Sequence, residues 1–162
     1  MVDRSQVPYT AFSFRVEFYE QGKGGEQLAE AAFAEVDGLE INMDVKTFQE
    51  GGNNTRQIHL AGPFTYAQLT LRRGMTRDMN MWRWFQKIMT VEGRATRYTA
   101  HIVMQTSEIG SSALNRDEVV LYKVYDCMPT KIRAPSLNAG DGGIAIEELA
   151  MVYSSFDMEL PD

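Results

Sequence analysis

Apolar side chains recur at every second position in several short stretches, and this period constrains the fold more than any other feature of the sequence. Between Phe12 and Phe18, phenylalanine and valine alternate with serine, arginine and glutamate, which is typical of a β-strand with one buried face. A glycine-rich stretch, 22–25, follows, so this strand and 31–36 are predicted to form a hairpin with a long tip. Further strands are predicted at 65–72, 98–104, 119–128 and 144–159.

One segment has a helical period instead. Apolar residues lie at i, i+3, i+4, i+7 and i+8 between Met81 and Met89, which predicts a helix with an apolar stripe. We expect Thr76 to cap this helix and Asp78 to lie near its positive N-terminal end. Trp82 widens the stripe, so the helix should lie between two surfaces. The side chains expected to pack it into the core are Trp82, Trp84, Phe85 and Ile88.

Three features predict where the strands are interrupted. Pro129 should end the strand that precedes it, because proline cannot donate to a ladder. The pair Glu147-Glu148 predicts a bulge in the final strand. The stretch Glu40 to Gln57 is polar and irregular, which predicts an extended loop of the length that is usually functional or disordered. The prediction is thus about six or seven strands around one helix.

Size and composition exclude several classes of protein. The 162 residues suit one domain, 1–162. The apolar fraction of 44% and charged fraction of 23% are those of a globular protein, not of a disordered chain or a coiled coil. No apolar run is long enough to span a bilayer, and no secretory signal is recognisable. The single cysteine, Cys127, excludes an internal disulfide.

The sequence predicts no catalytic, cofactor-binding or metal-binding residues. Cys127 could pair only with His59 or His101, and a buried structural cysteine is the simpler interpretation. The glycine stretch 22–25 lacks the Walker spacing. The stretch 140–143 follows no strand-to-helix turn, so it does not suit a dinucleotide. We therefore expect a binding or structural protein rather than an enzyme.

Charge is unevenly distributed along the chain. Residues 1–50 and 101–162 each have ten acidic and four basic residues, whereas residues 51–100 have eight basic and two acidic residues. One interpretation is chance clustering on a solvated surface. The other is a protein with basic and acidic surfaces that stacks head to tail with identical copies. The net charge of −6 disfavours nucleic-acid binding, which usually requires a basic domain.

Six segments stand in a recognisable order between about Phe12 and Glu159. They are Phe33–Leu39, Glu50–Asn54, Leu69–Gly74, Trp82–Trp84, Pro129–Lys131 with Leu137–Ala139, and Ile144–Leu149. Together they resemble the motifs F-x-E-V-x-G-L, E-G-G-x-N, L-x-L-x-R-G, W-x-W, P-x-K with L-N-A, and V-A-I-E-x-L of the tail-tube family of contractile phages and phage tail-like injection systems. Leu60–Pro63 departs from the L-P-G often found in that family, and Tyr122 and Met128 replace residues that are often tryptophan and another aromatic.

The resemblance implies a mainly β (α+β) fold: a small β-sandwich or barrel of about six to seven antiparallel strands with one flanking α-helix. It also implies hexameric rings with a continuous β-barrel lumen, stacked into the inner tube of a contractile tail or injection system. The implied partners are further copies of the chain, a surrounding sheath, baseplate, spike or cap proteins, and cargo or DNA in the lumen, without a membrane anchor. The implied location is the bacterial cytoplasm during assembly and then the particle.

In the family, the loop that corresponds to Glu40–Gln57 contacts the adjacent ring. Its polar, glycine-rich character in this chain suits backbone contact with a neighbour. The residues expected at that contact are Glu50, Gly51, Gly52, Asn53, Asn54 and Arg56.

The charge blocks suggest a second kind of contact between copies. We hypothesise that basic residues of the middle block meet acidic residues of a neighbouring copy, because repeated exposed pairs can set orientation and register even though each is weak. The candidates are Arg72, Arg73, Arg77, Glu147 and Glu148.

Two alternatives stay open at this point. A tube-initiator or baseplate-proximal ring of the same family carries the glycine-loop motif as well, and copy number per particle would separate it from the tube. A soluble ligand-binding β-domain belongs to another class. A strict monomer at all concentrations would favour that domain over a ring-forming protein.

Overall fold

A computed structural model of the chain describes residues 14–22, 27–31, 33–48, 57–77, 79–106, 117–136 and 143–160. These residues include ten strands and two helices. The strands are β1 (Phe14–Glu20), β2 (Gln27–Ala31), β3 (Glu35–Asp37), β4 (Ile41–Phe48), β5 (Ile58–Tyr66), β6 (Leu69–Gly74), β7 (Tyr98–Thr106), β8 (Asp117–Arg133), β9 (Ile146–Val152) and β10 (Ser155–Glu159), and the helices are α1 (Asn80–Ile88) and α2 (Val91–Ala95).

The long strand β8 connects the two halves of the main sheet. Eight strands form this antiparallel sheet in the order β2-β1-β7-β8-β9-β6-β3, with β10 also paired to β8. The first part of β8 pairs with β7 and β10, and its last part pairs with β9. Strands β4 and β5 form a separate two-stranded sheet. The mainly β fold class is therefore confirmed, with more strands and one more helix than the sequence predicts.

A local bend in β8 lets the sheet fold over one core. Asp126 has a positive φ of 55°, and its carboxylate accepts hydrogen bonds from Ser154 Oγ at 2.6 Å and Gln21 Nε2 at 3.1 Å. These two hydrogen bonds lower the pKa of Asp126. Side chains from both halves of the sheet belong to one buried cluster. It includes Val16, Phe18, Ala100, Ile102 and Val124 from one half and Leu69, Leu71, Leu149 and Met151 from the other.

Helix α1 packs its apolar stripe against this core. Trp84 and Ile88 are buried, and Phe85 is partly buried against the cluster. The Trp84 ring lies 4.9 Å from that of Phe18 and 5.0 Å from that of Tyr98, centroid to centroid. Aromatic pairs at this distance add to the stabilisation from burial. The stripe therefore fixes the helix across the end of the core.

The N-terminal cap of helix α1 and the presence of a second helix differ from the sequence prediction. Helix α1 begins after Met79 with no side-chain capping hydrogen bond, so the predicted cap at Thr76 is wrong, and Asp78 lies outside the described residues. The short helix α2 was not predicted. The Thr90 hydroxyl caps it by accepting a hydrogen bond from the Gly93 N–H at 3.2 Å.

The three predicted interruptions are also wrong in place. Strand β8 continues through Pro129, which pairs with Met151 beside a register shift, because proline is tolerated at an irregularity of the ladder. The final strand is interrupted at 153–154, after β9, and not at Glu147-Glu148. The first part of the predicted loop 40–57 is the strand β4, and 49–56 lies outside the described residues.

A buried ion pair joins β6, β9 and helix α1. Arg73 Nε lies 3.0 Å from Glu147 Oε2, and the two side chains are only 5% and 2% exposed. The other oxygen of Glu147 accepts a hydrogen bond from Trp82 Nε1 at 2.9 Å. Breaking a buried pair is costly because it leaves a charge without its partner in a low-dielectric environment. Glu147 thus holds the partly buried Trp82 and with it the helix.

We expect Glu147→Gln to lower the free energy of unfolding by about 3–5 kcal/mol, because it removes the charge that neutralises the buried Arg73. Urea unfolding followed by tryptophan fluorescence measures the loss. The matched control is Glu148→Gln, next in the strand, whose carboxylate is partly exposed and contacts Arg72 and Lys131. The control should lose far less stability, and equal losses would contradict the buried-pair argument.

The prediction of a buried cysteine is confirmed. Cys127 has no exposed surface, and its S–H donates to the Val124 carbonyl at 3.4 Å. Burial raises the pKa of the thiol to about 12. His101 is on the opposite face of β7 from the core residues, and His59 lies on the β4–β5 hairpin. No cysteine–histidine pair is therefore formed by these residues.

Cys127 should resist alkylation in the folded protein. Near pH 8 a thiol of such a high pKa is almost entirely protonated, and only the thiolate is nucleophilic. Mass spectrometry after iodoacetamide treatment should detect modification in denaturant and essentially none in buffer. Rapid labelling of the native protein would show that the strand β8 opens frequently.

Candidate assembly interface

The β4–β5 hairpin exposes apolar side chains on almost its whole length. Nearly every residue of the two strands is exposed, and Phe64 reaches 62%. A soluble monomer rarely exposes a contiguous apolar patch of this kind, so such a patch indicates an interaction site. The large exposed apolar residues are Ile41, Met43, Val45, Phe48, Ile58, Leu60, Phe64 and Tyr66.

The strand register gathers most of these side chains on one face. Ile41 pairs with Tyr66 and Met43 with Phe64, but the register shifts between Met43 and Val45. The extra residue of this irregularity is in β5, where Gly62 and Pro63 stand opposite Asp44, so β4 keeps its alternation. Val45 and Ala61 therefore share the face of Met43 and Phe64, since directly opposed residues share a face. We define the apolar hairpin face as Ile41, Met43, Val45, Phe64 and Tyr66, with Ala61 among them. The other exposed apolar residues, Phe48, Ile58 and Leu60, lie on the opposite face with Lys46.

The base of the hairpin is fixed to the main sheet by Tyr153. Its hydroxyl donates to the Gly38 carbonyl at 2.7 Å and accepts from the Glu40 N–H at 3.3 Å. The Ala67 N–H donates to the Glu40 carbonyl at 3.2 Å. The Tyr66 ring stacks edge-on against Tyr153 at 5.5 Å. These contacts set the direction in which the hairpin leaves the body.

Gly38 is required at this base. Its φ is +97°, in the left-handed region that favours glycine. A Cβ here would lie 2.0 Å from the Gln68 carbonyl oxygen, which no side chain can accommodate. The glycine therefore allows the chain to turn tightly from β3 into the hairpin.

The main sheet has open edges at β2, β3 and β10. Among the described residues, no strand pairs with the outer edge of any of the three, and we consider β2 and β10 together. These strands lie at opposite ends of the row β2-β1-β7-β8-β10. Unpaired N–H and C=O groups at such edges are able to pair with another chain.

The outward face of this row is charged and hydrogen-bonded. Glu17, His101, Lys123 and Asp157 lie directly opposite one another on four neighbouring strands. Desolvation opposes ionisation of Glu17, but hydrogen bonds from Arg15 and Tyr19 leave its pKa lowered overall. Desolvation, and then Lys123, lower the pKa of His101.

The predicted interface residues fall into three groups: some lie outside the described residues, some are buried, and some are exposed. The whole loop set, 50–54 and 56, lies outside the described residues, as does the motif 137–139. Arg73 and Glu147 are buried against each other, which leaves little of either for a neighbouring copy to contact. Arg72 is paired with Glu35 and Glu148 within the chain at 2.9 and 3.1 Å. All three are partly exposed, and Arg77 is exposed, so an inter-subunit role stays a prediction for this set.

Two kinds of site are not found in the described parts of the chain. There, no group of three histidine, cysteine, aspartate or glutamate side chains is placed to bind a metal. No helix among those residues is long and apolar enough to cross a membrane.

Residues 10–157 match the family described as T4-like virus tail tube protein gp19. The chain belongs to this family. The match covers all the described strands except the end of β10, so the open edges and the exposed hairpin are features of a tail tube protein. No curated protein matches the chain.

Solved structures share the fold at low sequence identity. A chain in the anti-feeding prophage baseplate aligns with a TM-score of 0.80 and 22% identity, over 94% of this chain and 96% of that one. A chain in the PVC sheath–tube complex of an extracellular contractile injection system aligns with a TM-score of 0.76 and 19% identity, over 99% and 100%. An Hcp protein aligns with a TM-score of 0.58 and 9% identity, over 91% and 98%.

Sequence reasoning missed the hairpin although a signal was present. Ile58, Leu60, Phe64 and Tyr66 alternate with smaller or polar residues, which is a strand period. The glycines and amides of the preceding loop obscured it, and Pro63 argued against a strand. An exposed apolar face contradicts the usual expectation that apolar alternation marks a buried face.

Tyr153→Phe should loosen the hairpin base and leave the aromatic packing intact. Loss of the hydroxyl should cost about 1 kcal/mol of stability and speed amide hydrogen exchange in 40–48, measured by mass spectrometry. Tyr122→Phe is the matched control, because Tyr122 packs in the same aromatic cluster against Phe156. Unchanged exchange in Tyr153→Phe would show that the base is fixed by stacking alone.

Proposed function

We propose that this tail tube protein forms hexameric rings that stack into the inner tube of a contractile tail or injection system. The observation that carries the proposal is the pair of open sheet edges at β2 and β10, at opposite ends of one row of strands. Edge pairing between neighbours turns such rows into a closed barrel without free edges. A six-fold ring agrees with the symmetry of the anti-feeding prophage baseplate whose chain has this fold.

The exposed hairpin supports stacking of the rings. A heterologous contact between different ends of identical subunits repeats along an axis. The apolar hairpin face supplies one such end, and residues 49–56 join its two strands in the sequence. The interface residues predicted from the sequence, Glu50–Asn54 and Arg56, would then contact the adjacent ring.

The proposed partners follow from the same assembly. The fold resembles that of chains in a sheath–tube complex, a tube-terminating cap and a baseplate. A sheath around the tube, a baseplate or spike below it and a cap above it are therefore the expected partners. The outward face of the row β2-β1-β7-β8-β10 would line the lumen and face cargo or DNA.

The proposed role is structural and not catalytic. The described nucleophile, Cys127, is buried and protonated at neutral pH, and the family consists of tail tube proteins. Assembly would take place in the bacterial cytoplasm before the particle acts. A tube-initiator or baseplate-proximal ring of the same family is the alternative, which one ring per particle rather than many would favour.

Negative-stain microscopy of the purified protein should show rings and tubes. The double variant Val45→Asp with Phe64→Asp should keep the rings and lose the tubes, because each carboxylate would be desolvated in the inter-ring contact. Thr65→Asp is the matched control on the opposite face of β5 and should still form tubes. A strict monomer by light scattering at all concentrations would contradict the proposal and favour a ligand-binding domain.

A further inference from the structure

An apolar cavity lies beside strand β3, between the two halves of the main sheet. Its volume is about 140 Å³, close to the ~150 Å³ of an engineered cavity that binds benzene, so one six-membered ring fits. Ile102 belongs to the buried core, and the other side chains around the cavity are half-buried. The residues that line it are Phe14, Val36, Leu39, Ile102, Met104 and Tyr122.

The free edge of β3 belongs to one wall of this cavity. Val36 and Leu39 supply that wall, and β3 pairs with β6 alone among the described strands. The opposite wall comes from strands β1, β7 and β8, through Phe14, Ile102 and Tyr122. A further strand beside β3 would therefore lie over the cavity and direct every second side chain toward it.

The other face of β3 is acidic. Side chains alternate along a strand, so Glu35 and Asp37 point away from the cavity side of Val36, and both are exposed. Glu35 is paired with Arg72 at 2.9 Å, whereas Asp37 forms no ion pair with any described residue. A strand added beside β3 would place its own side chains next to these carboxylates, where opposite charges stabilise the pairing.

From these features we infer that the edge of β3 binds an extended segment of a partner protein, in which one large apolar residue stands between two basic residues. The segment adds a strand to β3 through backbone hydrogen bonds. Its apolar side chain stands beside Val36 and fills the cavity, while its basic side chains lie beside Glu35 and Asp37. Strand β3 of another copy does not fit, because its carboxylates would face those of the first. The inference goes beyond the proposed tube and does not depend on it.

Binding of a labelled peptide tests the inference on the full-length protein. The probe is the peptide Thr-Lys-Phe-Lys-Thr with fluorescein at its N-terminus and an amidated C-terminus, which has the same pattern in both strand directions. Its fluorescence anisotropy should rise to saturation as protein is added. Replacement of its phenylalanine by alanine should weaken binding about tenfold or more, because the ring buried in the cavity is lost. Replacement of both lysines by glutamate should abolish binding.

One substitution and its control locate the site on the protein. Asp37→Asn removes a charge and keeps an oxygen that can accept from the Gly38 N–H, so it should weaken binding about two- to fivefold. Asp157→Asn is the matched control, because Asp157 is an exposed acid in β10, which pairs with β8 and not with β3. This control should bind like the unmodified protein. Peptide addition should also slow amide hydrogen exchange at 35–37, measured by mass spectrometry.

Several results would overturn the inference. Anisotropy that never saturates, unchanged exchange at 35–37, or equal losses in Asp37→Asn and Asp157→Asn would refute the site. Equal binding of the alanine peptide would refute the role of the cavity. Binding only after removal of residues 1–12 would assign the cavity to that segment of the chain itself, and binding only to protein diluted to a monomer would assign the edge to a second copy. Each of these results leaves the proposed tube intact.

Discussion

The proposed assembly depends on one constraint, the unpaired backbone N–H and C=O groups at the open edges of the main sheet. Each N–H and C=O of an edge strand needs a partner, and water supplies one only while the edge stays exposed. In this chain the edges of β2 and β10 lie at opposite ends of the row β2-β1-β7-β8-β10. In the proposed ring each of these edges pairs with an edge of a neighbouring copy. The long strand β8 joins this row to the rest of the sheet, because its first part pairs with β7 and β10 and its last part pairs with β9.

The segregated charges of the sequence are partly neutralised inside the chain. Antiparallel pairing places β6, from the basic middle block, between β3 and β9, from the two acidic blocks. Arg72 thereby meets Glu35 and Glu148, and Arg73 meets Glu147. Lys87 of α1 similarly lies 3.2 Å from Glu20 of β1. Uneven charge along a sequence therefore reflects strand order here, and only part of it is left for contacts between copies.

Local patterns predicted the elements whose burial is one-sided. Val16 and Phe18 in β1, and Trp84 and Ile88 in α1, follow strand and helix periods because their apolar faces lie on the core. The apolar periodicity did not predict features of the fold that depend on a strand or a core surface distant in the sequence. Pro129 stays in β8 because β9 pairs alongside, and the exposed hairpin resembles a loop because no core covers it. At the interruption 153–154, the Ser154 hydroxyl donates to the carboxylate of Asp126 in β8. These two residues are 28 positions apart in the sequence, so no local pattern reports the contact.

The two proposed assembly contacts depend on different interactions: backbone hydrogen bonds at the edges of β2 and β10, and apolar side-chain contact at the β4–β5 hairpin. The reason is that the edges of these elements differ. In the hairpin, Pro63 has no N–H to donate, and the register irregularity lies where a Gly62 Cβ would be 2.5 Å from the Asp44 carbonyl oxygen. Both features disfavour the addition of another strand to the hairpin. Strands β2 and β10 contain no proline, so every residue of these strands has a backbone N–H. In the proposed assembly, ring closure by edge pairing and stacking by the apolar hairpin face are thus separate contacts, and the hairpins are poorly suited to pair edge to edge.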